Sequence, residues 1–152
     1  MTDKISSYYL KAASYCSIAE RCKQDIIEKL KKWGAPENEQ PAIINKLIED
    51  DFLNERRYAV AFARDKFRFN QWGSIKISYS LKQKGIASDN IKKGLASIEE
   101  REYTDILKKL IETKLKSLKR DTPETSFPKV MRFITGKGFE PSIASNILKR
   151  MK

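Results

Sequence analysis

Histidine is absent from the 152 residues and cysteine occurs only twice. Without an imidazole the chain lacks the side chain that most often acts as a general base near neutral pH. Cys16 and Cys22 are six residues apart, a spacing that matches neither a zinc motif nor a thioredoxin-like pair. A zinc site would have to rely on two thiolates and carboxylates. No Walker loop, nucleophile elbow or dinucleotide fingerprint occurs. No catalytic residue, metal or cofactor is expected, and the chain reads as a non-enzyme. Long apolar runs are missing too: none approaches the roughly 18 uncharged residues that span a bilayer. The start, MTDKISSYYL, has no apolar stretch leading to a small-residue cleavage site. A soluble, cytoplasmic protein with no membrane partner is the expectation.

What the chain does have is charge, 34% of residues against 40% apolar, with a formal net of +11. Residues 1–54 carry 8 basic and 9 acidic side chains, a net of −1. Residues 55–120 carry 17 and 8, a net of +9, and residues 121–152 carry 6 and 3, a net of +3. The field is concentrated in the middle, where it attracts a polyanion, either nucleic acid or an acidic protein groove.

Apolar residues recur every three or four positions along nearly the whole chain, with no sustained alternation of two. Runs such as Ile5, Tyr8, Tyr9, Ala12, Ala13 and Cys16, or Tyr103, Ile106, Leu107, Leu110 and Ile111, each describe one face of a helix. Nine such runs predict nine helices and an all-α fold. Gly34, Gly85 and Gly138, separated by 51 and 53 residues, divide them. Four residues before each stands Leu30, Leu81 or Ile134; ten after stands Ile44, Leu95 or Leu148; thirteen after stands Leu47, Ile98 or Met151. This is the pattern of three tandem three-helix repeats, over 1–51, 52–100 and 101–152. A unit of that size cannot bury its apolar faces alone, so the copies should stack into an elongated, curved array. Asn54 and Asp89 are capping types near predicted helix starts. APENEQP, with Pro36 and Pro41, and KRDTPETSFP read as loops, the second as a hinge.

The candidate site lies in the middle repeat. On a helical wheel of residues 55–69, Arg57, Arg64 and Arg68 fall within about 40° of one another, opposite an apolar arc. Tyr58, Phe62 and Phe67 belong to that arc and are expected in the core. Phe69 and Trp72, at the helix end, are open between packing and binding. Lys66 points into the arc, as Lys114 does on the helix predicted over 102–119. Each is either a stem that snorkels out or an ammonium facing a bound anion. With Lys76, Lys82, Lys84, Lys109, Lys116 and Arg120, these cations form a candidate binding wall. Lys92 and Lys93 belong to the same wall. The cluster Glu49, Asp50 and Asp51 reads as a solvated helix end, since adjacent carboxylates diverge on a helix. Cys22 reads as a small buried or capping residue, although a thiol near a helix start can be acidified.

The stretch FLNERRYAVAFARDKFRFNQWGSIKISYSLKQKGI, residues 52–86, resembles the signature of the RecX family of bacterial regulators of the RecA recombinase. The matching positions are Arg57, Tyr58, Ala59, Gly73, Ile77, Leu81, Lys84, Gly85 and Ile86. ERCKQDIIEKLKKWG and FITGKGFEPSIASNIL are similar to the family's first and last motifs. Departures fall at helix starts, with Asn54 and Glu55 where aspartates are usual and Cys22 or Lys23 where a serine is usual. The resemblance implies a helical repeat protein that binds the RecA filament on single-stranded DNA, and limits its growth, ATP hydrolysis and strand exchange. Partner-binding residues are then sought among Arg57, Arg64, Lys66, Arg68, Trp72, Lys76, Lys82, Lys84, Lys109, Lys116 and Arg120. The alternative is a helical protein that binds single-stranded nucleic acid on its own. In either case a monomer is expected.

Overall fold

The computed structural model describes the backbone of residues 3–151 and the side chains of residues 7–151. The outermost residues of the first and third predicted repeats, 1, 2 and 152, and the side chain of Ile5 lie outside the described part. Among the described residues there are nine α-helices and no strand. They are α1 (Asp3–Ile18), α2 (Lys23–Lys32), α3 (Gln40–Glu49), α4 (Glu55–Asn70), α5 (Ser74–Gln83), α6 (Ser88–Ala96), α7 (Glu100–Ser117), α8 (Pro123–Gly136) and α9 (Pro141–Arg150). The all-α reading and the number of helices hold.

Local chemistry explains the punctuation. Gly34, Gly85 and Gly138 have φ of 85°, 76° and 94°. Each closes a helix with the same pair of hydrogen bonds. Gly34, Gly85 and Gly138 donate to Lys31, Lys82 and Thr135, and the next residues, Ala35, Ile86 and Phe139, donate back to Leu30, Leu81 and Ile134. This is the Schellman closure, in which only glycine takes the left-handed position without strain. The residue after each glycine and the one four before it are all buried, so the closure turns the chain around an apolar contact. Asn54 caps α4 as expected, accepting from the Arg57 N–H at 3.0 Å. Asp89 does not cap: α6 begins at Ser88, and Asp89 sits in its first turn.

Two predicted loops are largely helical. Pro41 lies in the first turn of α3, and Glu37–Glu39 form a single 3-10 turn. Pro123 begins α8 and shortens the expected hinge to residues 118–122. A proline needs no N–H donor at the start of a helix and its φ is already helical. Composition alone therefore mistakes it for a breaker.

Three apolar clusters fill the molecule. The first includes Ala12, Ile26, Leu30, Ile43 and Leu47; the second Ala59, Ala63, Phe67, Ile77 and Leu81; the third Leu107, Ile111, Val130, Ile134 and Phe139. Each draws on three successive helices, but they interlock. Cys22 of the first helical group is buried in the second cluster, and Tyr103 and Ile106 pack against both second and third. The accessible surface is 9478 Å², whereas a compact monomer of 17.6 kDa would expose about 7,900 Å². The excess fits an elongated row.

The joint between the first two groups is polar. Glu55 accepts from the Lys23 N–H at 3.0 Å, and Lys84 reaches Asp25 at 3.3 Å. The second joint is tighter, because two backbone bonds cross it: Gly73 N–H to the Lys137 carbonyl at 2.8 Å and Ile75 N–H to the Gly138 carbonyl at 2.9 Å. A Cβ on Gly73 would stand 2.4 Å from the Gly138 carbonyl group. Tyr103 completes this joint, taking the Ser74 N–H at 3.0 Å and giving its hydroxyl hydrogen to Glu140. Its ring stacks on Phe67, with centroids 5.6 Å apart.

Candidate polyanion interface

The cations of the middle region divide according to whether a carboxylate already neutralises them. Arg57 is committed: its guanidinium lies 2.9 Å from both Glu20 and Asp51 and donates to the Asp51 carbonyl at 2.8 Å. These partners, the Glu20 hydrogen bond foremost, hold its pKa above the ordinary arginine value. The wheel groups Arg57 with Arg64 and Arg68, but the wheel cannot see Glu20, which another helical group supplies. Lys84 is tied in the same way to Asp25. These two cations fasten the first joint. Arg68 is exposed and lies 3.3 Å from Glu102.

Arg64 is exposed, and with Arg56 and Arg68 it borders a shallow cleft along α4 of about 500 Å³. Sequence alone gives no signal for Arg56, because one helical step from Arg57 carries it off the arginine stripe. Lys82, Lys109, Lys116 and Arg120 are exposed on α5, α7 and the turn after α7. They do not converge with the others on one cleft.

The structure does bring together Lys66, Trp72 and Lys76. Both ammonium groups lie over the half-buried Trp72 ring, 4.9 Å and 4.6 Å from its centroid, and Lys66 also stands 5.6 Å from the Phe62 ring. Each such contact contributes about 0.5–1 kcal/mol when partly exposed. It places the cation without cancelling its charge. Lys114, the other lysine in an apolar arc, lies 5.0 Å from the Phe133 ring centroid, and Lys137 shares that ring at 5.9 Å. The two groups approach at the second joint, where Lys137 donates to the Asn70 carbonyl at 3.2 Å and a Cβ on Gly138 would stand 2.6 Å from the backbone nitrogen of Lys76. The sequence signal for Lys66 and Lys114 was their placement among apolar residues. Lys137 stands four residues after Phe133 at the end of a predicted helix, so that spacing was a signal for their contact.

The remaining aromatics sort by burial. Phe67 is 1% exposed and Tyr58 buried, while Phe62 is only half-buried, short of the core position expected for it. Phe69 is 81% exposed. Cys16 and Cys22 are free and buried, and burial pushes both thiols up. Cys22 occupies the cap position of α2, so the acidified-thiol alternative fails through desolvation. In the acidic cluster, Asp50 accepts from the Tyr9 hydroxyl at 2.5 Å and Asp51 pairs with Arg57.

Residues 54–95, from the cap of α4 to α6, match the family model described as RecX, second three-helix domain. Regulatory protein RecX of Bacillus cytotoxicus is 28% identical over 150 residues, which cover 99% of this chain and 56% of that protein. Its counterpart from Clostridium botulinum is 32% identical over 131 residues, covering 85% and 61%. The crystal structure of RecX from Lactobacillus salivarius superposes with a TM-score of 0.88 at 25% identity, covering 99% of this chain and 97% of that one. The chain is similar to RecX proteins over nearly its whole length, and its middle matches a RecX domain. It spans little more than half the length of the curated RecX proteins cited. The stretch matched by the RecX domain model carries the arginine cleft and the Lys66, Trp72 and Lys76 cluster.

Proposed function

We propose that this protein is a non-enzymatic regulator that binds the RecA filament on single-stranded DNA and limits its growth, ATP hydrolysis and strand exchange. The observation that carries this reading is the uncompensated charge of its middle. Residues 55–120 have a net of +9, and Arg64, Lys66, Lys76 and Lys114 take part in none of the ion pairs found among the described residues. An elongated body with such a field is drawn to a groove containing phosphates and acidic protein surface, and steering of this kind speeds encounter. The RecX relatives, named as regulatory proteins, support a regulatory role. The protein is proposed to act as a monomer, in the cytoplasm where such filaments form.

The test is co-sedimentation with preformed RecA filaments. Lys66→Glu with Lys76→Glu should weaken binding at least tenfold while helical content is unchanged. Unaltered binding would remove this face from the interface. The lysines held over rings also favour a second reading, binding to bare single strands. Equal affinity for the bare strand and for the filament would select that reading over the first.

A further inference from the structure

The cleft along α4 has one wall that α4 does not supply. Arg56, Arg57, Arg64, Asp65 and Arg68 belong to that helix, whereas Glu20 comes from the turn between α1 and α2 in the first helical group. Arg57 holds it there, and all three nitrogens of its guanidinium engage residues that precede α4. Nε meets Glu20 at 2.9 Å, Nη1 meets the Asp51 carboxylate at 2.9 Å, and Nη2 donates to the Asp51 carbonyl at 2.8 Å. Asp51 lies in the link between α3 and α4 with a φ of 62°, a left-handed conformation uncommon for residues other than glycine. Arg57 therefore ties both the link and the turn to α4. The second joint is built differently. Its pair, Arg68 with Glu102, accompanies the backbone hydrogen bonds of Gly73 and Ile75, which an anion does not displace.

We infer that Glu20 is a removable occupant of this cleft: a phosphate group entering beside Arg56 and Arg64 takes Arg57 from Glu20 and loosens the first helical group. This rests on the reading of the cleft as part of a polyanion interface, and it adds how that interface is coupled to the shape of the row. Arg56 and Arg64 take part in none of the ion pairs found among the described residues. An anion therefore meets two unneutralised guanidinium groups before it reaches Arg57. The Arg57 and Glu20 side chains are 35% and 31% exposed, so solvent screens their attraction and the pair exchanges readily. A phosphate offers more acceptor oxygens than a carboxylate, and a guanidinium fork grips it through two of them. Arg57 keeps Asp51, while the freed Glu20 is repelled by the phosphate beside it. Two further polar ties, from the Lys23 N–H to Glu55 and from Lys84 to Asp25, lie outside the cleft. Cys22 also stays buried in the second cluster with Tyr58. The release thus turns the first group about this contact without parting the joint.

The probe is inorganic tripolyphosphate, titrated at low salt into the isotopically labelled full chain and followed by NMR. Saturable shifts are expected at the side-chain N–H groups of Arg56, Arg57 and Arg64. Without the probe, residual dipolar couplings from all nine helices should fit one alignment. At saturation α1–α3 should need an alignment of their own, while α4–α9 still share one. Glu20→Gln should bind the probe roughly threefold tighter or more and show the two alignments before any is added. Asp65→Asn removes the same charge from the same cleft but leaves the bonds of Arg57 intact. It should bind tighter too, yet keep the change of alignment. A single alignment at saturation overturns the proposal, as do shifts centred on Lys66 and Lys76, or no saturable binding at millimolar probe. An Asp65→Asn chain that behaves as Glu20→Gln does would overturn it as well. Any of these outcomes leaves co-sedimentation with the filament to decide the proposed function. A first group released by the probe, in a chain that does not bind filaments, would overturn that function alone.

Discussion

At the scale of the residue, aromatic side chains do two different jobs within a few positions of one another. Phe67 is closed off within the second cluster and stacks on Tyr103, so Phe67→Ala should cost about 3–5 kcal/mol and lower the melting temperature by roughly 10 °C. Phe62→Ala should cost clearly less, because that ring is half-buried; equal losses in thermal melts would contradict this division. Tyr103 supplies a pH signature. Burial, and then its bond to Glu140, push its hydroxyl up to about 12, whereas an unfolded tyrosine titrates near 10. The native state therefore holds that proton more tightly. Its contribution is fully present below about pH 10 and is lost as pH rises towards 12. Tyr103→Phe should make the alkaline fall in melting temperature shallower, and an unchanged slope would show that the phenol is not shielded. Which side of α4 is apolar could be read from its sequence. The partner of Arg57 could not, because Glu20 is 37 positions away and enters only through packing.

At the scale of the element, the unit of construction is a helix closed by glycine and docked through that closure. The three glycines were legible because a left-handed turn admits few other residues. What surrounds them was not. Gly34 and Gly85 have nothing within 4 Å of an added Cβ, whereas at Gly138 such an atom would meet the backbone of Lys76. Alanine at either of the first two should cost about 1–2 kcal/mol of backbone strain. Gly138→Ala should cost more and loosen the second joint, with faster hydrogen exchange at Gly73 and Ile75. Equal urea midpoints for the three variants would refute this ordering. The prolines show the opposite failure: composition sets Pro41 and Pro123 in loops, yet each lies in the first turn of a helix.

At the scale of the whole molecule, fold and charge were both legible from the chain, because periodicity and net charge are sums over many residues and survive local errors. The grouping of cations was not legible. Lys66 and Lys76 are ten positions apart on different helices and meet only because Trp72, in the turn between α4 and α5, lies beneath both. An elongated body with its field at the centre is suited to lying along a charged groove rather than closing over a small ligand. The most direct measurement of this is ATP hydrolysis by preformed RecA filaments as the protein is added at fixed DNA. Hydrolysis should fall at protein concentrations too low to cover the free single strands, and Lys66→Glu with Lys76→Glu should abolish the effect. Inhibition that begins only when there is enough protein to coat all the DNA would contradict a filament regulator.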